Sequence, residues 1–189
     1  MRYGFRMRHS VLAAALFAST PALSAGLASS SADESSSSLE GLYAGIAGGG
    51  GWLIVPSDNI LAWDVELRVG YSFGTPLQIY LSGAVDGGSR SGATFRTEQL
   101  AAFVQYHLIV RPAAMVYARA GIGVGLSGDV VPDRTAVGLA AAGGIGIEFR
   151  FLPNLFLAPE LYYRNTDLSA SGTSMRVQTV GLQLGLIYY

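Results

Sequence analysis

The 189-residue chain contains no cysteine. That excludes disulfides, a thiol nucleophile, thiolate metal ligands and a lipid-modified N-terminal cysteine. Lysine is missing too: all twelve cationic residues are arginine, a bias that base composition alone can produce and that carries no functional weight. Charge is scarce, at 13% of residues, against about 25% in ordinary soluble domains. Long apolar runs are also lacking, since no stretch reaches the roughly 18 consecutive apolar residues of a membrane-spanning helix. Yet half the chain is hydrophobic and its mean hydropathy is +0.38. Apolar composition without apolar runs is what alternating strands produce. A formal charge of −1 without basic clusters leaves nucleic acid off the list of expected partners.

What is present is alternation. Residues 60–73 read I-L-A-W-D-V-E-L-R-V-G-Y-S-F. Leu61, Trp63, Val65, Leu67, Val69, Tyr71 and Phe73 form one wholly apolar face, and Ala62, Asp64, Glu66, Arg68, Gly70 and Ser72 form the other. A period of two kept over this length is a strand, not a helix. Seven more segments alternate in the same way: 41–54, 77–87, 93–109, 115–126, 135–151, 155–165 and 174–189. Four consecutive glycines weaken the first of them. Pro159 removes a ladder donor from the seventh, where a local bulge is expected.

Ahead of the strands, Arg2, Arg6 and Arg8 precede an apolar run over 11–18 and small residues at 22–26. This reads as a secretory signal peptide over 1–25, cut after Ser24, Ala25 or Ala28. Its removal would leave nine arginines against thirteen acids, a formal charge of −4. Residues 26–38 are Ser-rich with Asp33 and Glu34, a composition that cannot bury a core and suits a flexible linker. The strands then occupy 39–189.

Eight alternating strands describe either a soluble barrel with apolar side chains inside or a membrane barrel with them outside. Three features favour the membrane. The polar faces hold Gly, Ala, Ser and charges that fit a narrow lumen, whereas the apolar faces are too bulky to fill one. The connections after the second, fourth and sixth strands are short, and the others read as polar loops of about five to nine residues, the asymmetry expected of periplasmic turns and external loops. Finally, apolar-face aromatics cluster at strand ends: Tyr71, Phe73, Tyr106, Phe149, Phe151 and Tyr188 near the short turns, and Trp52, Trp63 and Tyr163 near the loops. Two girdles around an aliphatic band match the two faces of a bilayer. The expected fold is all-β: an eight-stranded antiparallel up-and-down transmembrane β-barrel.

G-L-Y-A-G opens the first strand, P-E-L-Y-Y lies in the seventh and L-G-L-I-Y-Y ends the chain. With the eight-strand pattern, these segments make residues 41–189 resemble the small outer-membrane β-barrel proteins, the OmpA transmembrane-domain and OmpX-like group. The resemblance implies a bacterial outer-membrane location after export, contact with outer-membrane lipids and lipopolysaccharide, and recognition of the C-terminal aromatic strand by the outer-membrane assembly machinery. Tyr188 and Tyr189 are both candidates for that signal, Tyr189 being out of phase with the outward series. A monomer is expected, without the peptidoglycan-binding domain of two-domain relatives.

The inward charges are Asp64, Glu66, Arg68, Asp86, Arg119, Glu148, Arg150, Glu160 and Arg164. In a narrow, dry lumen such charges must be paired. A salt-bridge plug closing the lumen is the favoured reading; a narrow porin-like channel for small solutes is the alternative. A lipid-modifying enzyme is less favoured. His107 is the one histidine left after the signal, with no Ser two residues on and no acid evident beside it, and it reads as an ordinary lumenal side chain. One histidine and scattered carboxylates make no metal site, so no cofactor is expected. The loop charges Arg90, Arg96, Asp129, Asp133, Arg134 and Asp167 read as solvated, with lipopolysaccharide phosphates or a host surface as the sharper alternative.

Overall fold

The computed structural model describes residues 39–189 apart from 57, 75, 91–92, 132–133 and 171–172. The expected signal peptide over 1–25 and linker over 26–38 lie outside the described residues. Eight strands follow in order: β1 (Glu40–Val55), β2 (Asp58–Phe73), β3 (Leu77–Arg90), β4 (Ala93–Val110), β5 (Ala114–Val131), β6 (Arg134–Leu152), β7 (Leu155–Ala170) and β8 (Thr173–Tyr188). Each pairs antiparallel with its sequence neighbours, and β1 pairs with β8 to close the barrel.

Alternation decides which side each residue takes. On β2, Ile60, Ala62, Asp64, Glu66, Arg68 and Ser72 are buried in the lumen, while Leu61 through Phe73 in the other phase are exposed on the wall. The assignment holds around the barrel: Leu81, Leu100, Ile122, Ile145, Leu161 and Leu184 are all exposed large apolar residues. In water such a surface would be untenable; in a bilayer it is the solvated face.

All nine girdle aromatics point outward and are exposed. Tyr71 and Phe73 meet edge to face at 5.1 Å. Trp63 lies opposite Gly87 in the β2–β3 register, and a Cβ on that glycine would come within 2.5 Å of the indole. The ring thus covers the stretch of wall that the glycine leaves bare.

Three expectations need correction. The external connections are not loops of five to nine residues: β1–β2, β3–β4, β5–β6 and β7–β8 are each separated by two residues. The polar segments are absorbed into the strands, which run to 14–19 residues. A membrane strand needs only about 9–11. Polar side chains do not interrupt a backbone ladder, so hairpins continue past the apolar band, and loop length no longer distinguishes the two ends. Second, Pro159 causes no register shift. The β6–β7 pairs on either side of it, Gly146↔Glu160 and Phe149↔Leu157, share one register, and Pro159 itself pairs in step with Leu184 of β8. Shifts fall instead at His107/Ile109, Ser127/Val131 and Arg150/Leu152. Third, the glycine-rich first strand is regular along all of Glu40–Val55, held by β2 and β8 on its two sides.

Leu184 faces lipid in the middle of the outward series Val180, Leu182, Leu184, Leu186 and Tyr188, and its neighbour Gln183 faces the lumen; they are 54% and 4% exposed. Leu184→Arg should lose about 2–4 kcal/mol of stability, measured by urea unfolding in lipid vesicles, and Gln183→Arg clearly less. Equal losses would invert the inside–outside assignment.

Candidate functional site

The lumen is layered. At the end carrying Leu39 and Tyr189, Tyr43, Tyr80, Ala101, Phe103, Met115, Phe156, Ala158 and Ile187 pack together. At the opposite, hairpin end, Leu53, Val55, Ile60, Ala62, Ala136, Leu168 and Val177 form a second apolar cluster, backed by Phe95 and Met175. Between these lids lies the charged network.

Glu66 is its centre. Arg119 grips it with two nitrogens at 2.6 and 2.9 Å. Arg68 adds bonds at 3.1 and 3.2 Å, and Arg164 one at 2.9 Å. Ser82 donates at 2.6 Å and Gln183 at 3.0 Å. A second carboxylate, Glu160, accepts from Arg68 at 2.9 Å, from Arg119 Nε at 2.6 Å and from the Tyr117 hydroxyl at 2.6 Å. Arg164 also donates to Asp86 at 2.7 Å and stands 3.6 Å from Asp64. Each guanidinium faces an aromatic ring: Arg68 with Tyr80 at 6.0 Å, Arg119 with Phe103 at 4.7 Å and Arg164 with Tyr162 at 4.2 Å. Planar, permanently charged guanidinium suits both bidentate pairing and such stacking.

The chain makes room for these side chains locally. The charged ones come from β2, β3, β5 and β7, whereas β6 contributes Gly144 and Gly146 to the same layer. A Cβ on Gly144 would strike the Glu160 carboxylate, and one on Gly146 the Tyr117 hydroxyl.

The structure therefore brings seven of the nine expected lumenal charges into one network: Asp64, Glu66, Arg68, Asp86, Arg119, Glu160 and Arg164. Glu148 is lumenal but belongs to another cluster nearer the terminal end. It accepts from Gln105 at 2.7 Å and the Tyr189 hydroxyl at 2.9 Å, and His107 Nε2 lies 3.2 Å away. The expectation that His107 has no acid beside it is thus wrong: β4 and β6 are not paired to each other, and only the closed lumen brings the two together. Arg150, by contrast, is not in the lumen. Its phase is inward, but its height lies beyond the lid, and it is exposed with its guanidinium 5.5 Å from the Phe156 ring.

Tyr188 and Tyr189 separate. Tyr188 is 57% exposed on the wall. Tyr189 turns under the barrel: its ring lies 5.3 Å from Tyr43 and 5.2 Å from Phe156, and its hydroxyl accepts from Gln78 at 2.6 Å. Ser82, Gln105, Tyr117 and Gln183 were not singled out from the sequence. Their inward phase was legible, but only the register puts them against Glu66, Glu148 or Glu160.

Of the charges assigned to external loops, Arg96 pairs with Glu98 at 2.8 Å, and Asp167 pairs with Arg176, a residue of β8, at 2.6 Å. Hydrogen bonding from Arg176 holds the Asp167 carboxyl below the usual carboxylate range. Asp133 and the side chains of Arg90, Asp129 and Arg134 lie outside the described residues. Among the described residues, no group of three or more His, Cys, Asp or Glu is arranged to hold a metal.

The model of the outer membrane protein beta-barrel domain family matches residues 10–188. The chain belongs to that family. It is a bacterial outer-membrane barrel, and the end bearing the chain terminus is the periplasmic one in such proteins. Among solved structures, Neisserial surface protein A is similar at 13% identity, with 78% of this chain and 96% of that chain covered and a TM-score of 0.66. The outer membrane enzyme PagL is similar at 15% identity, with 75% and 97% covered and a TM-score of 0.55. At such identities the likeness shows the fold alone. No curated protein matches the sequence.

Breaking the network at its centre should be costly. Glu66→Ala leaves three buried guanidinium groups short of a carboxylate and is expected to lose about 3–5 kcal/mol in urea unfolding, whereas Asp167→Asn, in a fully exposed pair, should leave the midpoint unmoved.

Proposed function

We propose that this outer-membrane barrel is a closed, non-enzymatic wall protein with a structural, membrane-integrity or surface-interaction role. The observation that carries the reading is the filled lumen: Glu66 and its three arginines span it, with an apolar lid on each side. An eight-stranded interior is just wide enough for side chains, and these occupy it. His107 supports the non-enzymatic part. Its ring contacts Gln105, Glu148 and Tyr117, its Nδ1 makes no hydrogen bond, and it is 3% exposed. A general base must reach the proton it abstracts, and lipid does not enter this lumen.

Purified protein in planar bilayers should give no stable conductance steps. Regular steps in the nanosiemens range would establish the narrow-channel alternative.

The two terminal tyrosines divide the roles that the sequence left together. Tyr188, on the wall in line with Leu182, Leu184 and Leu186, is the residue presented to the assembly machinery, and Tyr189 closes the lumen. Tyr188→Ala should therefore slow assembly several-fold in a reconstituted assembly assay. Tyr189→Ala should assemble at the normal rate and be less stable once folded. Equal slowing by both would overturn the division.

A further inference from the structure

The charges in the central network do not balance. Asp64, Glu66, Asp86 and Glu160 stand against Arg68, Arg119 and Arg164, one carboxylate in excess. The hydrogen bonds locate the excess. Glu66 and Glu160 are engaged at both oxygens. Asp64 and Asp86 are not. They lie directly opposite each other in the β2–β3 register and are 2% and 0% exposed. Arg164 binds Asp86 Oδ1 at 2.7 Å, but its other terminal nitrogen is 2.9 Å from Glu66 and only 3.6 Å from Asp64. Both Asp64 oxygens and Asp86 Oδ2 are buried without a hydrogen bond, and so is the hydroxyl of Tyr162, which is 1% exposed.

Tyr162 comes from β7 rather than from the acidic pair's own strands. Its ring packs against Arg164 at 4.2 Å, and its hydroxyl stands beside the Asp64 carboxylate, close enough to interact with it but outside good hydrogen-bond geometry. Two glycines, one on β1 and one on β8, border these oxygens where the strands approach closely. A Cβ on Gly49 would sit 2.8 Å from Asp64 Oδ1 and would also meet the Leu182 carbonyl, and one on Gly181 would sit 2.8 Å from the Tyr162 hydroxyl and would also meet the Gly50 carbonyl. Uncompensated oxygens and one missing positive charge occur together in the same part of the lumen.

We propose that Asp64, Asp86 and the Tyr162 hydroxyl hold one monovalent, oxygen-seeking cation of the sodium class. A single positive charge completes the balance. A calcium ion would overshoot it and wants six to eight oxygens, more than this cluster offers. Arg164 fixes the cation's place, since its own charge leaves only the sides of the two carboxylates turned away from its guanidinium for a second cation.

The test uses the purified protein in detergent micelles at neutral pH, with sodium chloride exchanged for choline chloride at fixed ionic strength. Sodium should raise the thermal unfolding midpoint by about 3 °C or more, as a ligand that binds only the folded state does. It should also broaden the sodium-23 NMR line. Asp86→Asn removes the excess charge and should abolish both responses. Tyr162→Phe keeps every charge and should weaken them several-fold, which leaves the idea testable if the first variant does not fold. Identical midpoints in sodium and choline would overturn the proposal, as would a sodium response retained in both variants. A response to calcium but not to sodium would overturn the monovalent assignment. So would a midpoint that follows pH alone, because a proton would then be supplying the charge.

Discussion

Everything inside this barrel depends on keeping Glu66 ionised in a closed lumen. A buried carboxylate without cations is prohibitively costly, so three arginines converge on it from β2, β5 and β7. Each arginine then needs its own accommodation. Aromatic rings take the guanidinium faces, Glu160 and Asp86 take the remaining nitrogens, and glycines on β6 leave the volume. The network ties strands that are not hydrogen-bonded neighbours, so it resists lateral opening in a way that the backbone ladder alone does not. Its worth is therefore conditional: it strengthens a barrel that is already closed and offers nothing to an open sheet, where the same charges would be far apart and hydrated.

The wall answers to a different solvent. Outward residues need only be apolar, and the sequence uses Leu, Val, Ile and Ala there with little apparent demand for fit. Register is set from the inside. A slip of one residue would carry Asp64, Glu66 and Arg68 into lipid and Trp63, Val65 and Leu67 into the lumen. That penalty fixes the register, and this explains how β1, with four successive glycines and little side-chain information of its own, still runs without a break: β2 and β8 dictate its alignment.

A period of two is a local property, and what it determines was legible: the eight strands, the two faces, the nine wall aromatics and seven members of the network. What it does not determine is height and partnership around the ring. Arg150 has the right phase but lies past the end of the lumen. His107 and Glu148 are on strands that do not pair, so nothing in either strand's pattern announces their contact. Tyr189 is out of phase with the wall series for a reason that appears only with the lumen mouth in view, where Tyr43, Phe156 and Gln78 receive it. The hairpin-end segments misled because turn-forming composition was taken to end the ladder, whereas outside the membrane a polar strand can extend as freely as a loop.

A filled lumen moves the question of function to the surface. PagL shares the fold and is an enzyme, so architecture does not decide activity; the accessible groups do. Here the histidine is enclosed, and two arginines above the membrane at the hairpin end, Arg96 and Arg176, are already neutralised by Glu98 and Asp167. A polyanionic surface such as lipopolysaccharide would have to displace those carboxylates to bind them. Exposed pairs of this kind are weak, so displacement is feasible, but the gain from each arginine is reduced by the carboxylate it leaves behind. Surface recognition through these two pairs would therefore be salt-sensitive and modest.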